Sequence, residues 1–367
     1  MHKLILTILF LAPALAGAQV APERLDELAA AAQPQVVEWR RWFHQNPELG
    51  NREFNTAVRI AEILRGMGLD PQTGIAHTGV VAVIEGGQPG PMVALRADID
   101  ALPAREQTGL PFASTAKGEY RGEEVDVMHA CGHDAHIAML LGAARVLTDV
   151  KDDLAGSVML IFQPAEEGAP HGEEGGAELM LKEGIWAERK PAAVFGIHVG
   201  ISNDGAALST SPGPAMAASD RFELTVRGSQ THGAMPWNGV DPIVVAAQVV
   251  LGLQTIASRQ VDVTLAPSII SIGRIEGGVR NNVIPDEVEL EGTIRTFDPA
   301  MREEIHRRIE QTARGIAAAA GAEIDFELEL GYPSVYNDPG LYDRMLPTLQ
   351  RVVPKSMATN GWFCVCK

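Results

Sequence analysis

The spacing of apolar residues divides the first 200 residues into alternating helices and strands. Leu25, Trp39 and Phe43 recur at helical spacing and predict an amphipathic helix over residues 23–45. Short apolar runs bounded by glycine and proline follow, as is typical of buried strands. This alternation predicts an α/β fold, with a mostly parallel central sheet and helices on both faces. The predicted strands are residues 79–84, 92–95, 157–162 and 193–198, and the further helices are residues 54–67, 137–150 and 177–182.

The pattern changes after the proline-rich break at residues 211–214. Strands are predicted at 221–227, 268–275, 287–296 and 323–330, and helices at 242–258 and 301–320. The order β-α-β-β-α-β is the ferredoxin-like arrangement and predicts an inserted second domain. The predicted segments are residues 1–18 before the first domain, 19–214 for its first part, 215–330 for the inserted domain, and 331–367 for the return to the first domain.

The N-terminus has the pattern of an export signal. Lys3 precedes an apolar run over residues 4–11, and Ala16-Gly17-Ala18 resembles a cleavage site. The run is short for a membrane span, although an uncleaved anchor is the alternative. We therefore predict a signal peptide that is cut before Gln19, and a secreted or periplasmic protein in a bacterium. No later stretch reaches ~18 uninterrupted apolar residues, so no membrane association is expected after cleavage.

Charge narrows the classes of partner. The chain has 30 Lys and Arg residues against 47 Asp and Glu residues, a net charge of −17, which argues against nucleic-acid and anionic-membrane surfaces. A small acidic substrate stays compatible, because a cationic site can lie inside an acidic envelope. Hydrophobic residues make up 46% of the chain, as in ordinary globular proteins. Three cysteines in 367 residues exclude a scaffold built on disulfides.

Metal-binding residue types collect after the predicted strands, where open α/β sheets bind ligands. Three of the ten histidines and one cysteine lie within residues 129–136. A thiolate and an imidazole two residues apart at a helix start can both reach one metal pair, which favours Cys131 and His133 as ligands. His129 and His136 fit packing roles better. The alternative for Cys131 is a small buried hydrophobic residue.

Carboxylates follow two of the predicted strands. Asp98 and Asp100 leave a buried strand on the same side, although an ordinary polar loop is equally compatible. Glu166 and Glu167 are adjacent, so one can bind metal while the other stays free as a base. A solvated acidic loop is the alternative for this pair. His198 ends an apolar strand and becomes a candidate ligand only beside the other groups.

The predicted second domain contributes hydrogen-bond donors. His232, Asn282 and Arg295 suit a carboxylate or a developing oxyanion, with turn formation as the alternative for the asparagine. No nucleotide-binding glycine motif is present.

Together these stretches resemble the dinuclear metal amidohydrolases related to aminoacylase and zinc carboxypeptidases. Hippurate hydrolase and the indoleacetyl-amino-acid hydrolases are the branch with the greatest similarity. The motifs that carry the resemblance are RADIDALP at 96–103, MHACGHDAH at 128–136, QPAEEG at 163–168, GIHV at 196–199, THGAMPWNGVDP at 231–242 and GGVRNNVIPDEVELEGTIRTFD at 277–298.

The resemblance implies a site for two divalent metal ions. Cys131 would bridge them, and His133, Glu167 and His198 would be further ligands. Glu166 would be the general base for hydrolysis of the amide bond of an N-acyl amino acid, a small-molecule substrate. A mixture of thiolate, imidazole and carboxylate ligands suits zinc, with manganese or cobalt as alternatives.

The resemblance also implies roles for the remaining candidates. Asp100 would orient the site, and Asp98 stands where other branches place a His ligand that His133 would replace. His232, Asn282 and Arg295 would hold the substrate carboxylate and the oxyanion. The inserted domain would act as a lid and build a homodimer, with His232 acting across its interface.

The C-terminal sequence departs from the family pattern. The family's fifth ligand is a histidine near the C-terminus, and no histidine follows Lys355 here. We therefore expect a shortened end in which one metal position lacks a protein ligand. Three functions stay open: a metal-dependent amidohydrolase or metallopeptidase, an impaired homologue that binds only metal or ligand, and a thiol hydrolase that uses Cys131 with His133.

Overall fold

The computed structural model describes residues 20–200 and 208–352 and the backbone of residues 363–366. The predicted signal peptide lies outside the described residues. The chain divides into two compact units between residues 201 and 202. The helices are α1 (Pro22–Gln45), α2 (Phe54–Gly66), α3 (His133–Asp149), α4 (Gly176–Lys182), α5 (Pro242–Thr255), α6 (Pro299–Ala320) and α7 (Pro339–Val352). The strands are β1 (Gln72–Ile75), β2 (Gly79–Glu85), β3 (Gln88–Asp98), β4 (Lys117–Tyr120), β5 (Glu123–Asp126), β6 (Ala155–Gln163), β7 (Val194–Ile197), β8 (Gly213–Met216), β9 (Ala218–Arg227), β10 (Thr231–His232), β11 (Ser268–Glu276), β12 (Val283–Ile284), β13 (Glu287–Thr296), β14 (Glu323–Glu329), β15 (Val335–Asn337) and β16 (Phe363–Cys366).

The α/β class of the first unit is confirmed, but its sheet is mixed. The strand order is β1-β2-β6-β3-β7, in which β6, β3 and β7 are parallel while β1 and β2 run antiparallel to their neighbours. The link between β2 and β3 is too short for the crossover that parallel strands need, so β3 runs back beside β6. Gly86 passes so close to β6 that a Cβ there would lie 2.3 Å from the carbonyl oxygen of Gly156.

Helices cover both faces of this sheet, as predicted. Alternate residues of each strand point to opposite faces, so Val80 packs under α1, α2 and α3 while Val81 lies in the apolar cluster of the opposite face with α4. Strand β6 is buried on both sides along almost its whole length. A strand buried on both faces reads as a continuous apolar run, which is the pattern of its sequence.

The three parallel strands end at one edge of the sheet. β3 ends at Asp98, β6 at Gln163 and β7 at Ile197. Helix α3 begins at His133 and packs along β3. The carboxyl ends of parallel strands are where open α/β sheets place their ligands, so this edge carries the candidate chemistry.

The second unit has the predicted β-α-β-β-α-β order. Strands β9, β11, β13 and β14 form an antiparallel sheet in the spatial order β11-β13-β9-β14. Helices α5 and α6 bury one face around Phe222 and Ile305, and the other face carries ion pairs such as Arg221–Glu291. Among the described residues, one helix (Pro242–Gln260) is long and apolar enough to cross a membrane. Core helices of soluble proteins also meet these criteria of length and composition.

The return of residues 331–367 to the first domain stays a prediction. Contacts group residues 202–366 as the second unit, in which β15 pairs antiparallel with β8. The predicted roles of the second unit as a lid and in dimerisation stay predictions.

Candidate metal centre

The structure brings the four predicted metal ligands to the carboxyl edge of the first unit's sheet. The thiol of Cys131 lies just before α3, and its Sγ is 3.4 Å from Nε2 of His198, after β7. Ligand atoms of Cys131, His133 and His198 lie within 4.8 Å of one another, as do those of His133, Glu166 and Glu167. These two groups, and a third made of Asp98, His133 and His136, share His133, so these residues form one continuous cluster.

His133 is oriented toward the middle of this cluster. Its Nδ1 donates to the backbone oxygen of Asp100 at 2.8 Å and lies 3.2 Å from the carboxylate of the same residue. Its Nε2 is buried and has no hydrogen-bond partner, yet carboxylate oxygens of Asp98, Glu166 and Glu167 lie 3.7, 3.8 and 3.9 Å away. A buried imidazole nitrogen beside three carboxylates fits a bound cation.

The charges around the cluster favour positive charge at this place. Burial favours the neutral imidazole of His133, but its hydrogen bond to Asp100 and the nearby thiol and carboxylates outweigh this effect and raise its pKa to about 11. The neighbouring imidazoles of His133 and His198 lower the pKa of the Cys131 thiol. The carboxylates that favour a proton here also favour a divalent cation in its place, and the thiolate form of cysteine is the one that binds metal.

A second layer of side chains lies beside the candidate ligands. Asp98 is buried and accepts from Nη1 of Arg96 at 2.6 Å and from Nδ1 of His136 at 2.5 Å. Burial opposes ionisation, but the Arg96 charge holds the pKa of Asp98 well below its usual range. The backbone N–H of Val199 donates to the other ring nitrogen of His136, so both nitrogens have partners. Asp98 and His136 therefore form a hydrogen-bonded pair beside the candidate ligands.

Both glutamates of the QPAEEG motif face the cluster. Burial raises the pKa of Glu166, although the charge of Arg96 opposes the shift. The backbone N–H of Glu167 donates to Oδ2 of Asp100 at 2.9 Å, so Asp100 links this loop to His133. A carboxyl with a raised pKa is suited to exchanging protons near neutral pH.

His129 has the packing environment that the sequence suggests. Its side chain is buried, and neither ring nitrogen has a hydrogen-bond partner among the described residues. Burial lowers its pKa to about 4, so the ring is neutral at pH 7.

The three predicted substrate-binding residues lie in the second unit. His232 is exposed on β10, and the backbone N–H of Gly233 donates to the Asn282 carbonyl at 2.9 Å, so these two segments are adjacent. Arg295 lies on β13 and donates to the backbone oxygen of Ile294 at 3.0 Å. Among the residues described by the structure, no hydrogen bond or ion pair joins its guanidinium to His232 or Asn282.

Sequence reasoning missed Glu53, which lies at the start of α2. Its side chain is fully buried, and its carboxylate accepts from the backbone N–H of Ala165 at 2.8 Å and from the hydroxyl of Thr78 at 2.6 Å. Burial raises its pKa to about 7. A single glutamate ahead of an amphipathic helix is an ordinary surface pattern, so no sequence signal distinguishes it.

Comparison with known proteins gives relatives of two named activities. The chain is 40% identical over 334 residues to thermostable carboxypeptidase 1 of Saccharolobus solfataricus, covering 90% of this chain and 81% of the relative. It is also 40% identical over 315 residues to an N-acyl-L-amino acid amidohydrolase of Geobacillus stearothermophilus, covering 86% and 81% of the two chains.

A solved structure and a family profile extend the similarity. The crystal structure of YXEP from Bacillus subtilis, described as a dinuclear metal binding peptidase, matches with a TM-score of 0.73 at 35% identity, covering 90% of this chain and 83% of that one. The profile of Peptidase family M20/M25/M40 matches residues 94–363. The resemblance predicted from the motifs is thereby confirmed: the protein belongs to Peptidase family M20/M25/M40 and is a metal-dependent hydrolytic enzyme.

Proposed function

We propose that the protein hydrolyses the amide bond of N-acyl amino acids, with acetyl or benzoyl acyl groups, and that Glu166 is the general base. The observation that carries the proposal is the position of Glu166, whose carboxylate lies 3.8 Å from the unpartnered Nε2 of His133, within the ligand cluster. The named activities of the relatives support an N-acyl amino acid as the substrate class.

Two divalent ions, manganese or zinc, would be held by Cys131, His133, Glu167 and His198. Cobalt is a third candidate, because mixed sulfur, nitrogen and oxygen ligands do not select one metal. When bound, the ions would supply Lewis acidity that lowers the pKa of water and polarises the amide carbonyl.

Proton transfer falls to this chain's own residues. Glu166 would take the proton of the attacking water and later deliver it to the leaving amine. Asp100 would keep His133 and the backbone of Glu167 in place through its carboxylate and carbonyl oxygens. His232, Asn282 and Arg295 would bind the substrate carboxylate and the oxyanion, and losing one such donor typically costs ~10²–10³ in rate.

Activity and metal content test the proposal together. Glu166→Gln should lower kcat by at least ~10³ while two metals per chain are retained, and excess chelator should abolish wild-type hydrolysis of N-acetyl and N-benzoyl amino acids. Glu174→Gln is a matched control, because Glu174 is an exposed carboxylate of the same loop region that pairs with Lys182.

The other possible functions give different results. Hydrolysis that persists in excess chelator and traps an acyl group on Cys131 would replace the proposal with a thiol hydrolase. A protein that binds metal and substrate but shows no turnover that depends on Glu166 would be an impaired homologue.

We also propose a homodimer built by the second unit. β11 forms one edge of its sheet and exposes Ile269, and the neighbouring helix α5 exposes Val244 and Leu251, the last by 71%. Apolar edges and patches of this kind support association with another copy. Light scattering should give a dimer for the wild type and a monomer for Leu251→Asp. Leu330→Asp, an exposed position outside this surface, should stay dimeric.

Export is proposed from the N-terminal pattern alone. The mature protein, recovered from the medium or the periplasm of a bacterial host, should begin at Gln19. An N-terminus at Met1 in the membrane fraction would favour the uncleaved anchor.

A further inference from the structure

The segment before α2 packs against the loop that carries Glu166 and Glu167. A Cβ on Gly50 would lie 2.9 Å from the carbonyl oxygen of Gly168 and 3.3 Å from Ala165. The amide of Asn51, also buried, donates to the backbone oxygen of Glu174 at 3.0 Å. This segment therefore contacts the loop after β6 at several points, although it lies more than 100 residues away in the sequence.

The strongest of these contacts is made by Glu53. One carboxylate oxygen accepts from the backbone N–H of Ala165 at 2.8 Å, and the other accepts from the hydroxyl of Thr78 at 2.6 Å. All three side chains are buried. Burying a carboxyl group is costly unless it is hydrogen-bonded, so these two contacts offset the cost of burying Glu53.

Ala165 needs such a partner because its backbone is left-handed. Its φ is 46°, a region that residues with a Cβ seldom adopt unless the surroundings impose it. The residue that follows is Glu166, so the conformation at Ala165 decides the direction in which the base leaves the chain.

We propose that Glu53 is a positioning residue that holds Glu166 in its working orientation by accepting the N–H of Ala165. The inference rests on the proposed role of Glu166 as the base. Glu53 acts on the loop geometry and contacts neither substrate nor metal. Displacing a reacting group by about 1 Å can cost ~10² in rate, so a loss of this bond should appear in kcat.

Three variants of Glu53 test the proposal in the full-length, metal-loaded enzyme. Glu53→Ala removes the acceptor, and Glu53→Met removes it while filling most of the space. Both should lower kcat by ~10² and leave KM and the two bound metals per chain unchanged. Glu53→Gln should stay within ~3-fold of the wild type, because its amide oxygen can accept from Ala165 while its NH₂ donates to the hydroxyl of Thr78.

Hydrogen exchange provides a readout that does not depend on activity. The peptide covering residues 163–168 should exchange faster in Glu53→Ala and Glu53→Met than in the wild type, and at the wild-type rate in Glu53→Gln. The same differences in exchange rate are expected in protein with and without added metal.

A matched control lies on another loop of the same unit. Ala76 also has a φ of 46°, and its N–H donates to Glu183 at 2.7 Å. Glu183→Ala removes a bond of the same backbone-to-carboxylate kind whose acceptor is exposed, and kcat should be unchanged.

The outcomes separate the inference from the proposed function. If Glu166→Gln is inactive while Glu53→Ala and Glu53→Met keep full kcat, or if Glu53→Gln is as impaired as they are, the positioning role is wrong. Loss of bound metal from the Glu53 variants would also overturn it. If Glu166→Gln stays active, the proposed base itself is wrong.

Discussion

Buried Glu53 should make the stability of the first unit depend on pH. Burial raises the pKa of its carboxyl from 4.5 to about 7 in the folded protein, whereas the unfolded chain keeps the ordinary value. The folded state therefore holds this proton more tightly. The stabilisation is complete below pH 4.5 and is lost as the pH rises through about 7. A pKa shift of this size corresponds to roughly 3 kcal/mol in the free energy of unfolding.

Glu53→Gln isolates this contribution, because glutamine does not titrate. Urea unfolding of the chelator-treated wild type and variant, followed by circular dichroism from pH 4.5 to 8, gives the two free energies of unfolding. Their difference should change by roughly 3 kcal/mol in favour of the variant as the pH rises, since the other titrating groups are common to both. A difference that stays constant within about 0.5 kcal/mol over this range would refute the assignment of a raised pKa to Glu53.

Three further predictions concern packing, a buried ion pair and metal affinity. Ile309→Ala, in the core of the second unit, should lower the free energy of unfolding by about 2–5 kcal/mol, whereas exposed Leu330→Ala should change it by less than about 0.5 kcal/mol, both measured by urea titration. Arg302→Met leaves the buried carboxylate of Asp220 without its guanidinium partner and should destabilise the same unit by about 3 kcal/mol in that assay. His136→Phe removes the support of Asp98 and the Val199 amide and should weaken zinc binding by ~10–100-fold in a competition titration, and unchanged affinity would contradict its orienting role.

Most of the regular structure follows from local pattern. The predicted helix over residues 23–45 corresponds to α1, and the predicted strand over 287–296 corresponds to β13. Apolar periodicity is decisive there, because one face of each element is buried along its whole length. The short β4–β5 hairpin and the β8–β15 pair were missed, since strands of three or four residues with little burial leave almost no pattern.

Strand direction did not follow from the pattern. The sequence predicts a mostly parallel sheet, yet β1 and β2 run antiparallel to their neighbours. An apolar run buried on both faces is the same in either direction. The length of the link after β2 indicates that β2 and β3 run in opposite directions, because a two-residue connection leaves no room for a crossover helix.

The candidate ligands could be predicted because their residue types are rare and concentrated. Cys131 and His133 lie within one short histidine-rich stretch, and Glu167 and His198 follow strands that end at the same edge of the sheet. Sequence order and the direction of parallel strands are sufficient to bring such residues together.

The amino-acid sequence by itself determined the class of fold, the order of the elements and the types of group at the metal centre. Only the tertiary structure showed how these groups are paired: Asp98 and His136 hydrogen-bond to each other, while Nε2 of His133 has no hydrogen-bond partner among the described residues. It also revealed Glu53, whose contact with Ala165 spans 112 residues of sequence. Hydrogen-bond partners and burial depend on neighbours that are distant along the chain, so no local pattern contains them.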